Sequence, residues 1–351
     1  MCTTDDRALR CAPRLPRPIA NPPNPWLSTH VEYLEDIPEA RLEVYEEDAR
    51  TILSENDSPD IPFRWGVNPY RGCYHGCAYC YARPTHEYLG WGAGTDFERK
   101  LVVKRNAPEL LRAAFARKSW RGERIAFSGV TDCYQPLEAA YQLTRRCLEV
   151  CADHRNPVHV ITKNALVARD AALLARLSAE ADAIVIVSIP FADDESGRQI
   201  EPYASRVTKR FAALEQLSAA GVHTAVSIAP VIPGLNDGHI PAILTRARAC
   251  GATRAFMTMV RLTKSVLPVF EQRLTEAVPL RAGAVLSAIR DVRGGAMNRG
   301  GFGERMRGEG PRWVAIEQLF DVHARRLGFS SGRPDADPSP FRRPDAQTTL
   351  F

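Results

Sequence analysis

No run in this chain approaches the roughly 20 consecutive apolar residues that a membrane-spanning helix requires, so insertion into a bilayer is not expected of its 351 residues. Lysine is scarce, and almost all of the 46 basic residues are arginine. The first residues lack the apolar centre of a secretory signal, so the nine cysteines are expected as free thiols in the cytoplasm rather than in disulfides. No Gly-x-Gly-x-x-Gly follows the first strand pattern, which removes the usual signature of an open dinucleotide-binding sheet. No second Cys-x-x-Cys and no His-x-x-x-His is present, so the paired half of an ordinary zinc module is missing too.

What is present suits one large folded unit. The chain is 45% hydrophobic and 25% charged, enough to bury a barrel-sized core. Net charge is +5, which permits contact with nucleic acid without demanding it. Residues 1–58 open with an arm rich in Pro and Arg (Pro13, Pro16, Pro18, Pro22, Pro23 and Pro25), too broken for helix or central strand and expected as an extended wrap or partly disordered. Strands are expected near Gly66–Asn68, Ile125–Ser128, Val158–Thr162, Ile184–Ile189, Thr224–Ile228 and Ala255–Met259, with Leu101–Val103 an extra one. Helical periodicity separates them at Leu137–Ala152, Asp170–Glu180, Ser205–Ala220 and Ile240–Cys250. Six successive strand–helix units imply right-handed crossovers and a parallel sheet curling into a partial (β/α)6, TIM-like barrel over residues 59–290. Its chemistry is then expected at the carboxyl ends of the strands.

The strongest local signal is Gly72-Cys73-Tyr74-His75-Gly76-Cys77-Ala78-Tyr79-Cys80-Tyr81. Three thiolates are one fewer than a closed zinc site or a saturated iron–sulfur cluster takes, which leaves one metal corner open. Gly72 and Gly76 let the backbone turn tightly enough for the sulfurs to converge. A zinc site is the alternative, with His75, His86 or a distant cysteine as fourth ligand.

This C-x3-C-x2-C loop, with an aromatic residue just before its last cysteine, resembles the cluster loop of radical S-adenosylmethionine (SAM) enzymes. The resemblance covers residues 60–290 and implies a [4Fe–4S] cluster on Cys73, Cys77 and Cys80, with SAM on the open iron. Within that superfamily the stretch after the second core strand resembles one branch more closely, spore photoproduct lyase and its relatives. By that likeness Thr131 and Asp132, in Ser128-Gly129-Val130-Thr131-Asp132, are expected at the SAM amino group, Lys163 at its carboxylate, and Ser188 beside it. Thr131 and Asp132 have a second possible job, capping the next helix. Tyr79 and Tyr81, flanking Cys80, resemble tyrosines implicated in returning a hydrogen atom. The lyase's cysteine hydrogen donor has no counterpart here, because Gly129 stands in its place. Cys133 is the nearest thiol, although adjacent residues of an extended segment point to opposite faces.

Past residue 290 a Gly- and Arg-rich loop, Arg293–Gly303 with Arg305, Arg307 and Arg312, precedes a last helix near Val314–Arg326. Such a loop clamps a phosphate backbone or simply connects. Residues 330–351 are expected as a disordered tail. Its end, with Gln347, Leu350 and Phe351, resembles the peptides with which bacterial repair proteins dock on the DNA sliding clamp. The expected function is reductive cleavage of SAM and hydrogen abstraction from a substrate, nucleic acid foremost, with flavodoxin or ferredoxin as electron donor. The alternatives are a peptide or small-molecule substrate, and a non-catalytic iron–sulfur protein.

Overall fold

A computed structural model of the chain describes residues 18–30, 39–330 and 339–343. The expected motif at Gln347, Leu350 and Phe351 lies outside the described residues, as do Cys2 and Cys11. The strands are β1 (Glu43–Glu47), β2 (Leu53–Glu55), β3 (Trp65–Val67), β4 (Tyr70–Arg71), β5 (Lys100–Lys104), β6 (Ile125–Phe127), β7 (Val158–Thr162), β8 (Ile184–Ser188), β9 (His223–Val231) and β10 (Arg254–Met259). The main sheet has the order β10-β9-β8-β7-β6-β3-β2. β3 and β6–β10 run parallel, and β2 pairs antiparallel on the edge. These are the six expected core strands.

Their sequences explain their place. β6 (Ile-Ala-Phe) is buried throughout, and four of the five residues of β8 (Ile-Val-Ile-Val-Ser) are buried, as strands covered by helices on a parallel sheet must be. Fully burying each Val, Ile or Phe contributes about 1.5–3 kcal/mol. Helices at Leu143–Asp153, Ala171–Ala181, Val207–Ala219 and Ile240–Ala249 follow in alternation.

The arm is not only a wrap. It supplies β1, which pairs with β5 in a small sheet of order β1-β5-β4, as well as edge strand β2. The strands β10 and β2 are the two ends of an open sheet, and residues 302–306 span the opening. Met259 N donates to Met306 O at 3.0 Å, while Gly303 N donates to Asp60 Oδ1 at 2.7 Å and Arg305 pairs with the same carboxylate. The Gly- and Arg-rich loop is thus a structural bridge.

The expectation of disorder from residue 330 is corrected at 339–343. Phe341 packs against Phe115 and His154, Arg342 N donates to His154 O at 2.8 Å, and Arg343 donates to the carbonyls of Arg117 and Trp120. One ring and several main-chain carbonyl acceptors are enough to hold a short polar segment.

Candidate active site

The cysteine loop starts where β4 ends, beyond the carboxyl end of β3. Gly72 (φ +71°) and Gly76 (φ +65°) take the left-handed turns expected of them. At Gly72 a side chain is excluded twice over, because a Cβ would also stand 2.7 Å from the His86 ring.

Backbone anchors fix the loop at both ends. Cys73 N donates to Phe97 O and Ala78 N to Ile200 O, each at 3.0 Å. Gly72 O accepts from Thr131 Oγ1 at 2.6 Å and from Gln135 Nε2 at 3.2 Å, and Tyr74 N donates to Gln135 Oε1. Arg83, fully buried, donates to Cys77 O from Nε and Nη2, and to the carbonyls of Ala93 and Gly94 from Nη1. Its charge is balanced by buried Glu98 at 2.6 Å. A buried guanidinium is tolerated only when paired and fully bonded, and here the bonds it makes are those that shape the loop.

Cys73 and Cys77 are buried and Cys80 is partly exposed. Among the described residues no three His, Cys, Asp or Glu side chains converge on one point where a single ion could sit. Of the histidines a zinc site would need, His86 is engaged away from the thiols, whereas His75 stands between the Cys73 thiol and Asp132. His86 Nε2 bonds Lys100 O at 2.8 Å, and His75 lies 3.4 Å from Asp132 and 3.2 Å from Asn164 Nδ2. A [4Fe–4S] cluster asks for a different arrangement, since each thiolate binds its own iron, and three thiols spread around one loop fit that donor set.

Asp132 is the hub of the strand ends. Its Oδ1 accepts from Tyr134 N (2.9 Å) and Thr162 Oγ1 (2.7 Å), and its Oδ2 accepts from Lys163 N (2.7 Å) and faces His75 Nδ1. Burial works against its charge, but His75 and these donors outweigh it and hold the carboxyl down at about 2. Burial likewise opposes the charge on His75, yet the Cys73 sulfur and Asp132 raise its imidazole to about 10.

Lys163 ends β7 with its ammonium 5.6 Å from the Tyr79 ring centroid, and it forms no ion pair among the described residues. Burial raises the thiols of Cys77 and Cys80, and Lys163 acts on both in the opposite sense, which places its charge on the thiol side of the loop. Ser188 ends β8 opposite Ser227 of β9 and is buried.

The three residues expected to handle hydrogen atoms part company. Tyr79 is buried with its hydroxyl on Glu201, and Tyr81 is 51% exposed with its ring facing Arg261. Cys133 is buried in the core, its Sγ 3.9 Å from Ile161 O. It is not brought to the mouth with the others.

Glu201 and Arg210 were not anticipated. They form a buried pair at 2.5 Å behind Tyr79, and Arg210 also donates to the carbonyls of Ser188 and Ser205. Tyr79 and Glu201 are 122 positions apart, and no local spacing could have joined them. Arg83, close behind Cys80, was the one signal within reach.

Comparison with known proteins bears on this geometry. The Radical SAM superfamily model matches residues 67–247, about half of the chain. An uncharacterized protein of Mycobacterium tuberculosis (strain H37Rv) is 38% identical over 62% of this chain and 65% of its own length. The chain therefore spans less than two thirds of that relative. A radical SAM Nalpha-GlyT isomerase of Pseudomonas phage M6 is 24% identical over 75% of this chain and 52% of its own. Among solved structures, spore photoproduct lyase complexed with dinucleoside spore photoproduct superposes with a TM-score of 0.59 at 16% identity, over 81% of this chain and 79% of that one.

Proposed function

Because the chain belongs to the radical SAM superfamily, enzymes that use a [4Fe–4S] cluster and SAM, we propose that Cys73, Cys77 and Cys80 carry the cluster and that Lys163 and Ser188 receive SAM beside it. The observation that carries this reading is the ammonium of Lys163, without an ion-pair partner among the described residues, on the thiol side of the loop. A half-buried cation on that side suits the carboxylate of SAM. Bound on these thiols, a reduced cluster would supply the electron for reductive cleavage of SAM.

The residues of the chain do the rest. Arg83, paired with buried Glu98, holds the Cys77 carbonyl. Thr131 ties Gly72 to the end of β6. Asp132 already faces four donors, about as many as a carboxylate can accept, so it serves SAM by fixing the backbone of Lys163 rather than by taking the amino group directly. Of the three candidates for returning a hydrogen atom, Tyr81 has the ring open to a substrate. The substrate we assign is nucleic acid, a reading supported by the fold shared with a lyase solved in complex with dinucleoside spore photoproduct. The electron donor is a flavodoxin or ferredoxin. In the chain itself, no described helix is long and apolar enough to cross a membrane.

The test is anaerobic reconstitution with iron and sulfide, reduction, addition of SAM and chromatography for 5′-deoxyadenosine. Product is expected from the wild type and none from Cys77→Ala. No product from the wild type, with SAM leaving the cluster's EPR signal unchanged, overturns the proposal.

A further inference from the structure

An arginine keeps its charge at every accessible pH, so a partly buried guanidinium without a carboxylate is costly unless an anion comes to it. Arg261 is in that position. It stands two residues beyond β10, at the same end of the sheet as the cysteine loop, and its Nε is shielded from solvent without an acceptor. It forms no ion pair among the described residues. Its charged surroundings are Arg305, Arg293 and a single carboxylate, Asp60. Asp60 is committed to Arg305 and to Gly303 N. Arg293 is committed as well, donating to the carbonyls of Val260, Glu304, Arg305 and Arg307. Arg261 and Arg305 therefore face one carboxylate that is already in use, while Arg293 faces Glu309 as well.

Exposed rings interleave with these cations. The Arg261 guanidinium lies 5.8 Å from the centroid of Tyr81, the residue after Cys80. Arg305 lies 4.6 Å from the ring of Phe302, which is 61% exposed. Along the rim the order is ring, cation, cation, ring. A carboxylate would need only the cations. A single strand presents a phosphate and a π-face at each step, and it uses both.

We propose that Arg261 binds a backbone phosphodiester of single-stranded or extruded nucleic acid, with Tyr81 and Phe302 as stacking surfaces for its bases. The strand would thereby lie beside Cys80. This rests on the nucleic-acid reading above but not on the cleavage of SAM.

The experiment is fluorescence anisotropy of a short labelled oligothymidylate with the reconstituted full-length protein, across a salt series. Arg261→Gln is expected to raise Kd about tenfold and to reduce the log–log salt slope by about one. Arg261→Lys keeps the charge, guards against a folding artefact, and is expected to keep the slope. Phe302→Ala raises Kd at unchanged slope. Wild-type Kd and slope in Arg261→Gln, or full displacement of the strand by millimolar inorganic phosphate, overturns the proposal. The same samples are examined by EPR with SAM. A cluster that responds to SAM in a protein that binds no strand sinks this inference alone. Strand binding by a protein whose cluster ignores SAM sinks the enzymatic reading and leaves the strand site in place.

Discussion

The two ends of the sheet are held together by different physics. At the carboxyl end, buried charges meet one another and main-chain carbonyls: Arg83 with Glu98, Arg210 with Glu201, His75 with Asp132. At the amino end rings are added to such bonds, with Trp65, Trp120, Phe115, His154 and Phe341 in successive contact at centroid separations of 5.3–6.2 Å beside the Arg124–Asp182 pair and the hydrogen bonds of residues 339–343. Directional bonds fix where an atom stands, whereas ring packing mainly removes apolar area from water and tolerates small shifts. The end that must place three thiols uses the first kind.

The sharpest way to break this contrast is Arg83→Met. It leaves Glu98 charged and unpaired and frees the Cys77 carbonyl, so a loss of about 3–5 kcal/mol is expected. Urea unfolding of the iron-free protein measures it, and iron content after reconstitution should fall in parallel. Full iron loading in a destabilised variant would show that the loop does not depend on the pair.

A smaller effect is expected at Asp132, whose carboxyl is lowered from 3.8 to about 2. A lowered carboxyl stabilises the fold fully above its ordinary value and loses that contribution as pH falls toward 2. Asp132→Asn is therefore expected to be about 2 kcal/mol less stable than the wild type at pH 7. The gap should close as pH drops below about 4 in acid-unfolding curves. A gap independent of pH would mean that packing, not charge, makes the site.

The smallest effect belongs to the amino end. Phe341 is only partly buried, and Phe341→Ala is expected to cost about 1–2 kcal/mol while iron content and the cluster's response to SAM stay as in the wild type. A change in either spectrum would erase the distinction between the two ends.

The same contrast explains what could be read from the sequence. β7 was legible to the residue, Val158–Thr162, because three of its five residues are β-branched aliphatics and Pro157 and Lys163 bound it. The exposed edge strand Glu43–Glu47 carries no such pattern, and its pairing with β5 is set by a distant partner. The helix expected over Leu137–Ala152 breaks at Gln142 (φ +51°). The break follows from Glu138, which turns back to accept from Thr144 N and Arg145 N, the first free donors of the following helix. The cysteines, Thr131, Asp132 and Lys163 were visible because each sits in a short motif or at a strand end. Glu98, Glu201 and Arg261 were not, since their roles come from segments that meet only in the fold.

The docking of residues 339–343 against Gly122, Trp120 and His154, ahead of β6 and β7, has a practical corollary. Arg343 stands at the end of the sheet remote from the thiols, so an affinity handle, a surface linker or an electrode attachment joined after it begins on the far side. Ile19, by contrast, shares three hydrogen bonds with Thr95, two residues before the Phe97 carbonyl that holds Cys73. The leading segment is thus tied to the cysteine loop through Thr95 and Phe97, whereas residues 339–343 are tied to the opposite end of the sheet.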